Sequence, residues 1–234
     1  MKVLITGTSS GVGRAAAEKF LSEGFNVCGF DVKPSTIVND KYTHYIVDVR
    51  HPENFPEIKG IWYIVNNAGI VTPKAEAISV NLLGYINIME KYCNDPELKS
   101  MVIIGSTASE KGYDNLQYCA SQGGRDALVK WASTNYGHDP RHVIVNGLRL
   151  DGIVPADPEK GIQGTTMEPA LYEAEGLMDS IKELSILDRL ATVEEIAEWI
   201  YFLLVKNTVM TGQILNIDGE LCNWNFIEYP GWND

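Results

Sequence analysis

Short apolar runs alternate along the chain with longer segments whose apolar residues recur at helical spacing. Seven runs rich in valine and isoleucine predict strands at residues 2–6, 26–30, 43–49, 62–67, 100–106, 143–148 and 213–218. Segments between them predict helices at 12–23, 76–92, 115–137 and 193–205. Nearly continuous apolar strands are typical of a parallel sheet that is covered on both faces. The pattern therefore predicts one α/β domain over residues 1–234, with a doubly wound parallel sheet of about seven strands.

Two details refine this pattern. Thr192 and Glu195 stand at capping-box spacing at the start of the last predicted helix. Residues 152–185 show no regular period, and a long irregular stretch in a compact domain is usually functional or mobile. We expect this stretch either to form a lid over a binding crevice or to be a plain surface excursion.

The C-terminal tail, residues 222–234, is polar apart from four aromatic residues: Trp224, Phe226, Tyr229 and Trp232. Aromatic residues in such a tail suggest a docked segment. It can seal a subunit interface, close over a substrate pocket, or pack on its own subunit, and the sequence leaves these alternatives open.

Composition excludes several classes of partner. A formal net charge of −12 repels phosphate backbones and anionic lipid, so we expect neither nucleic acid nor membrane as a partner. The N-terminus enters a strand pattern directly and does not resemble a signal peptide, and the apolar stretch 199–205 is too short to span a bilayer. We therefore expect a cytoplasmic protein. The four cysteines lack C-x-x-C spacing, which predicts free thiols and no metal site.

A glycine-rich turn, TGTSSGVG at 6–13, follows the first predicted strand and opens the first helix. Glycines allow a tight turn and a close approach of the backbone to a diphosphate, and the helix N-terminus offers unpaired N–H groups. Strand, turn and helix stand in the order that dinucleotide binding requires.

Asp31 ends the second predicted strand, 20 residues after Gly11. A carboxylate at this point accepts hydrogen bonds from the adenosine ribose and repels a 2′-phosphate. A cation inside the glycine turn would bind that phosphate, but the residue there is Ser10, and Lys33 lies two residues beyond Asp31. The sequence therefore favours NAD over NADP.

These motifs resemble those of one known family. The chain is similar to the single-domain short-chain dehydrogenases/reductases, which have a Rossmann-type fold. The motifs that carry the similarity are TGTSSGVG (6–13), NNAG (66–69), VNLLG (80–84), Ser106, Tyr118, and the late segments 188–204 and 211–219. The resemblance covers most of residues 1–220 and keeps the family's order of motifs.

The resemblance implies a role for each matched residue. The cofactor residues would be Gly7, Ser9, Ser10, Gly11 and Val12 at the pyrophosphate, Asp31 at the adenosine ribose, Asp48 and Val49 (ending the third strand) at adenine, Asn67, Ala68 and Gly69 along the middle, and Tyr118 and Gln122 at the nicotinamide end. Asn81 would hold a water in a proton relay, Ser106 would orient the substrate oxygen, and Tyr118 would be the acid in reduction and the base in oxidation.

Gln122 departs from the family, whose members carry a lysine four residues after the tyrosine. An ammonium group there favours the phenolate, because a phenol with a pKa of about 10 is a poor base at neutral pH. Three interpretations stay open. Catalysis is slow or needs alkaline pH, another cation such as Arg125 or Lys111 substitutes, or the chain binds NAD without catalysis.

Smaller departures affect the substrate end. Ser106 precedes Tyr118 by one residue fewer than usual, which makes Thr107 a rival for its role, and Asp151-Gly152 replaces the family's Pro-Gly. The stretches 50–61 and 70–80 are short, so the third helix looks vestigial. Family members commonly pair through the helices near 76–92 and 115–137, and we expect a homo-oligomer, a dimer or a tetramer.

The sequence thus predicts an NAD-dependent oxidoreductase that interconverts a small secondary alcohol and a carbonyl. The alternative is an NAD-binding regulatory module of the same fold with impaired catalysis. A nucleotide-sugar epimerase is a distant third, because the second domain that such chemistry usually needs has no room here.

Overall fold

Seven parallel strands form one sheet in the computed structural model, which describes residues 1–154, 156, 164, 165, 179 and 185–219. The strands are β1 (Lys2–Thr6), β2 (Asn26–Asp31), β3 (Tyr42–Ile46), β4 (Ile61–Asn66), β5 (Ser100–Ser106), β6 (Ile144–Leu150) and β7 (Ile214–Ile217). Their order across the sheet is β3-β2-β1-β4-β5-β6-β7. The predicted doubly wound α/β fold is confirmed.

Helices cover both faces of this sheet. Four α-helices lie within the described residues: α1 (Gly11–Ser22), α2 (Gly84–Tyr92), α3 (Leu116–Gly137) and α4 (Val193–Tyr201). Two π-helical turns, Ser79–Leu83 and Phe202–Lys206, adjoin α2 and α4. The capping box at the start of α4 is confirmed, because Thr192 and Glu195 exchange side-chain-to-backbone hydrogen bonds of 3.2 and 3.0 Å. No helix in the described ranges combines the length and the apolar character needed to cross a bilayer.

The end of the third strand corrects one expectation. The strand ends at Ile46, so Asp48 and Val49 follow it instead of ending it. The reason is that β2, its neighbour among the described strands, ends at Asp31, whose carbonyl accepts the last ladder bond from the Val47 N–H at 2.9 Å. The helix expected to be vestigial between β3 and β4 is a single 3₁₀ turn, Pro52–Asn54.

The core is divided into two layers by the sheet. One layer packs α1 and α4 against the sheet around aromatic rings that include Phe20, Phe25 and Tyr201. The other packs α2 and α3 around rings that include Phe30 and Tyr92. Because both faces are covered, the central strands are apolar at nearly every position, which explains the unbroken runs in the sequence.

The carboxyl ends of the strands define where a site can form. Chain order reverses between β1 and β4, and ligands of open parallel sheets bind in the crevice at such a switch point. Thr6, Asn66 and Ser106 end the strands on either side of it. Most of the expected lid, residues 152–185, and the whole aromatic tail, residues 222–234, lie outside the described residues.

Candidate active site

The glycine turn packs directly against the end of β4. Gly7 has φ 77°, in the left-handed region, and a Cβ on it would lie 2.8 Å from Nδ2 of Asn67. A Cβ on Gly13 would lie 2.1 Å from the carbonyl oxygen of Gly7. Helix α1, which is described in full, has no acidic residue in its first turn, and Ser10 makes no side-chain cap bond there. The turn therefore leaves a helix N-terminus suited to an anion.

Thr6 fixes the loop that follows β4. Its hydroxyl oxygen accepts hydrogen bonds from the N–H groups of Asn67 and Ala68, both at 2.9 Å. Nδ2 of Asn67 donates to the Thr6 carbonyl at 2.8 Å. Sequence reasoning did not single out Thr6, although a threonine that ends a strand just before a glycine turn is a readable signal. The loop at 67–69 is thus held next to the turn.

Asp31 lies beside the glycine turn. One carboxylate oxygen accepts from the Ser9 N–H at 2.9 Å, and the other accepts from the Lys33 N–H at 2.9 Å. The Ser9 hydroxyl donates to the Pro34 carbonyl at 3.0 Å, which holds the loop after β2 against the turn. These bonds fix the orientation of the carboxylate at the mouth of the crevice.

Asp48 is held by a neighbour that sequence reasoning missed. Nη2 and Nε of Arg50 donate to its carboxylate at 2.6 and 3.0 Å, and Nη1 of Arg50 donates to Glu76 at 2.6 Å. This guanidinium lowers the pKa of the Asp48 carboxyl below its usual value. Val49 packs against α2, where a Cβ on Gly84 would lie 2.5 Å from the valine Cγ2.

Asn81 is buried in the π-helical turn before α2. Its amide grips the main chain of Ile70 at both ends, accepting from the N–H at 2.8 Å and donating to the carbonyl at 2.7 Å. The main-chain carbonyl of Asn81 accepts from Nε of Arg125 at 2.7 Å. The side-chain amide and the main-chain carbonyl of Asn81 thus both bind protein groups, and the residue joins the loop after β4 to α3.

Tyr118 lies in the first turn of α3, which Asn115 caps. Oδ1 of Asn115 accepts from the Tyr118 N–H at 3.0 Å, and its Nδ2 donates to the Val71 carbonyl at 2.9 Å. The Tyr118 ring meets the edge of the Tyr113 ring, with centroids 5.9 Å apart. The tyrosine is half-buried, and its helix turn is anchored to the loop that follows β4.

The ends of β5 and β6 separate the two candidates for the substrate oxygen. Thr107 is buried and its hydroxyl donates to the Asp151 carboxylate, which also pairs with Lys111. Ser106 is half-buried, and its Oγ accepts from the Ala108 N–H at 3.2 Å, which leaves its hydroxyl proton for another acceptor. Thr107 and Lys111 are therefore both engaged with Asp151.

Gln122 and Arg125 form a buried polar pair below Tyr118 on α3. Oε1 of Gln122 accepts from Nη1 of Arg125 at 3.2 Å. The guanidinium also donates to the carbonyls of Asn81, Ile104 and Ala68 at 2.7, 2.9 and 3.3 Å. Arg125 therefore links the end of β5, the loop after β4 and the π-helical turn to the helix that carries Tyr118.

The environment of Arg125 is unusual for a charged group. Its guanidinium carbon lies 3.9 Å from the centroid of the buried Tyr85 ring, a cation–π contact. Burial lowers the pKa of Arg125, and electrostatic interactions with Tyr85, Tyr118 and Asp126 oppose that shift. Burial likewise raises the pKa of the Tyr85 hydroxyl.

A Rossmann-type parallel sheet with a glycine turn at its switch point defines the class of α/β protein to which this structure belongs. The sequence profile of the short chain dehydrogenases matches residues 1–156, two thirds of the chain. The chain belongs to the short chain dehydrogenase family, a family of oxidoreductases.

Known proteins of this family resemble it over nearly its whole length. The 3-oxoacyl-(acyl-carrier-protein) reductase FabG of Thermotoga maritima is 27% identical, covering 93% of this chain and 96% of that protein. L-xylulose reductase of Caenorhabditis elegans is 26% identical and covers 95% and 96%. The ligand-free aldohexose dehydrogenase of Thermoplasma acidophilum superposes with a TM-score of 0.78 at 25% identity, covering 98% and 96%. These relatives confirm the family and the fold.

Proposed function

We propose that the chain is an NAD-dependent oxidoreductase that interconverts a secondary alcohol and a carbonyl, with Tyr118 as its acid and base. One observation carries the proposal: a continuous hydrogen-bonded path runs from the glycine turn to the tyrosine helix. Thr6 holds the Ala68 N–H, the Ala68 carbonyl accepts from Arg125, and Arg125 donates to Gln122. A cofactor held by the turn and a phenol on the helix therefore share one rigid frame.

The cofactor residues fit a dinucleotide. Gly7, Ser9, Ser10, Gly11 and Val12 would surround its pyrophosphate, because a side chain on Gly7 would collide with Asn67 and α1 offers unpaired N–H groups. Further contacts would come from Asp31 at the adenosine ribose, Asp48 and Val49 at adenine, and Asn67, Ala68 and Gly69 along the middle. When bound, the nicotinamide supplies or accepts the hydride.

Asp31 supports NAD as the cofactor. Its carboxylate is fixed by the N–H groups of Ser9 and Lys33, so it cannot turn away from a 2′-phosphate at the ribose. We expect Asp31→Asn to narrow the ratio of NAD to NADP affinities measured by calorimetry. Asp40→Asn makes the same change in net charge at an exposed position before β3 and should leave the ratio unchanged. Equal wild-type affinities for the two cofactors would contradict the proposal.

Two side chains, Tyr118 and Ser106, would act on the substrate oxygen. In reduction the Tyr118 hydroxyl donates its proton to the substrate oxygen, and in oxidation the phenolate takes it back. The Ser106 hydroxyl donates a hydrogen bond to the same oxygen and stabilises its developing negative charge. The engagement of Thr107 with Asp151 favours Ser106 for this role. Asn81 would act by holding the loop after β4 in place.

The test is turnover followed at the absorbance band of the reduced nicotinamide, with a panel of small alcohols and carbonyls from pH 6 to 10. Tyr118→Phe is expected to abolish turnover and to keep cofactor binding. Tyr113→Phe, which alters the neighbouring ring, is the matched control and should stay active. If Tyr118→Phe retains wild-type turnover, Tyr118 is not the acid and base.

A second candidate function is favoured by Gln122. The residue is fully buried and neutral at a position where the resemblance places a lysine, which suits a module that binds NAD with weakened catalysis. NAD binding without turnover across the whole panel and pH range would favour this module over the enzyme.

We also propose that the chain forms homo-oligomers. Leu116 and Trp131 on α3 and Leu83 next to α2 are 79%, 52% and 49% exposed, and such apolar surface is a common feature of subunit contacts. Sedimentation velocity tests this proposal. A monomer at micromolar concentration would contradict it.

A further inference from the structure

We infer that Arg125 is a positioning residue whose buried positive charge, held in place by Gln122, favours the phenolate of Tyr118, so that this hydroxyl loses its proton at lower pH than an ordinary phenol. The inference rests on the proposed function, because Tyr118 is the proton carrier there. In this inference Arg125 supplies the positive charge that the neutral Gln122 lacks.

The first step is that no carboxylate of the described residues is hydrogen-bonded to Arg125, although Asp126 interacts with it electrostatically. Among the described residues, the hydrogen-bond acceptors of its guanidinium are three main-chain carbonyls and the Gln122 amide, all neutral. The neighbouring carboxylate, Asp126, accepts instead from Arg149 at 2.9 and 3.1 Å. An arginine stays protonated throughout the working pH range, so a positive charge persists inside the protein.

The second step is that burying the Arg125 guanidinium costs free energy of desolvation. Only 4% of the Arg125 surface is exposed, and a buried ion without a hydrogen-bonded counter-ion loses hydration that neutral acceptors restore only in part. The Tyr85 ring, 3.9 Å from the guanidinium, compensates further but carries no negative charge. A buried cation of this kind favours any nearby group that becomes negative.

The third step is that Tyr118 is such a group. Tyr118, Gln122 and Arg125 recur at i, i+4 and i+7, which places them along one face of α3. Arg125 and Tyr118 also interact electrostatically. A phenol ionises with a pKa of about 10 in water, and a cation nearby in a medium of low dielectric stabilises its phenolate.

The fourth step concerns the hydrogen bonds that fix the distance between the two groups. Gln122 accepts from Arg125 and donates to the Ser121 hydroxyl at 3.3 Å, and that hydroxyl donates to the Tyr118 carbonyl at 2.7 Å. Gln122 therefore lies as a neutral residue between the two groups. The positive charge that acts on Tyr118 is that of Arg125, about one helical turn beyond Gln122.

Three other ionisable groups in the described part of the chain do not replace this charge. Tyr85 of α2 is neutral at working pH, because burial raises its pKa. Tyr113 contacts the Tyr118 ring and is a phenol as well. Lys111, the other cation that the sequence offered, pairs with Asp151. Arg125 is therefore the cation to remove.

The experiment titrates Tyr118 directly, without turnover. Protein carrying tyrosine labelled with ¹³C at Cζ is followed by NMR from pH 6 to 11, and the resonance missing from Tyr118→Phe identifies the residue. We expect the wild-type midpoint to lie below the ordinary value of about 10. Arg125→Met should raise it by at least about one pH unit, and Gln122→Lys/Arg125→Met, which moves the cation one turn closer, should lower it again.

Lys130→Met is the matched control, since it removes an exposed cation from the same helix and should leave the midpoint unchanged. A wild-type midpoint at or above about 10 overturns the inference with no variant needed, even if Arg125→Met does not fold. An unchanged midpoint in a folded Arg125→Met protein overturns it as well.

Turnover separates this inference from the proposed function. If the wild type titrates low but turns over no substrate, the electrostatic role stands and the oxidoreductase proposal fails. If the wild type turns over and Arg125→Met shows the same pH profile of kcat, the oxidoreductase stands and the role of Arg125 fails. A shift of the pH profile of kcat to alkaline pH is the result that we expect.

Discussion

Gly13→Ala is the substitution that probes the glycine turn most directly. Gly13 lies in the first turn of α1, and an added Cβ would stand 2.1 Å from the Gly7 carbonyl oxygen and 2.6 Å from Nδ2 of Asn67. The carbonyl belongs to the backbone of the turn and cannot rotate away as a long side chain can. Reaching ordinary contact at 3.4 Å requires a movement of 3.4 − 2.1 = 1.3 Å between α1 and the turn.

Two opposing effects set the magnitude. Alanine gains about 0.4–1 kcal/mol over glycine in a helix by restricting the unfolded chain. Overpacking a rigid contact costs about 1–3 kcal/mol or more, so we expect a net loss of stability. For a chain of this size each kcal/mol lowers the melting temperature by about 2–4 °C. NAD affinity should fall as well, because the displaced backbone is the part that would approach the pyrophosphate.

Gly123→Ala is the matched control. Gly123 is an exposed glycine within α3, and a Cβ added to it would meet no described atom within 4 Å outside its own helix backbone. The same chemical change should therefore raise the melting temperature slightly and leave NAD binding intact. Calorimetric melting and NAD titration of both variants complete the assay. If Gly13→Ala melts at or above the wild type and binds NAD equally well, the close packing of the turn is wrong.

Two further predictions concern residues that support the site. Asn115→Ala removes the cap of α3, and urea unfolding should show a loss of about 0.5–2 kcal/mol together with slower turnover, because Tyr118 lies in that turn. Arg50→Met removes the partner that lowers the pKa of Asp48. That pairing stabilises the fold above the unfolded pKa of about 3.9 and is lost as pH falls, so the difference in melting temperature from the wild type should be largest near neutrality and shrink in acid.

The fold was largely predictable because its signals are local. The central strands are apolar runs between breakers, and the sequence around Thr192 and Glu195 specifies a cap through neighbouring residues alone. Predicted element boundaries are wrong where a segment distant in sequence sets the end of the strand or helix. The end of β3 depends on the length of β2, and the π-helical turn at Ser79–Leu83 depends on contacts that Asn81 makes with Ile70.

The sequence names candidate site residues but not the groups that they contact. The resemblance pointed to Asp48, and departures from the family pattern pointed to Thr107 and Arg125. No spacing rule says that Arg50 binds Asp48 or that Asp151 binds Thr107. Arg125 shows the limit most clearly. Its helical spacing from Tyr118 was visible in the sequence, whereas its neutral surroundings depend on carbonyls from β5 and two loops that only the folded chain brings together.

The surroundings of Arg125 also explain why titration, and not melting, distinguishes a structural from an electrostatic role. Arg125→Met would leave the carbonyls of Ala68, Asn81 and Ile104 without this donor, at about 1.5–3 kcal/mol for each bond to a charged group. It would also remove the desolvation penalty of a buried ion, which is itself several kcal/mol. Because these effects oppose each other, the change in stability says little about the charge. The ionisation of Tyr118 responds directly to a nearby charge, and its midpoint must therefore move if the guanidinium supports the phenolate.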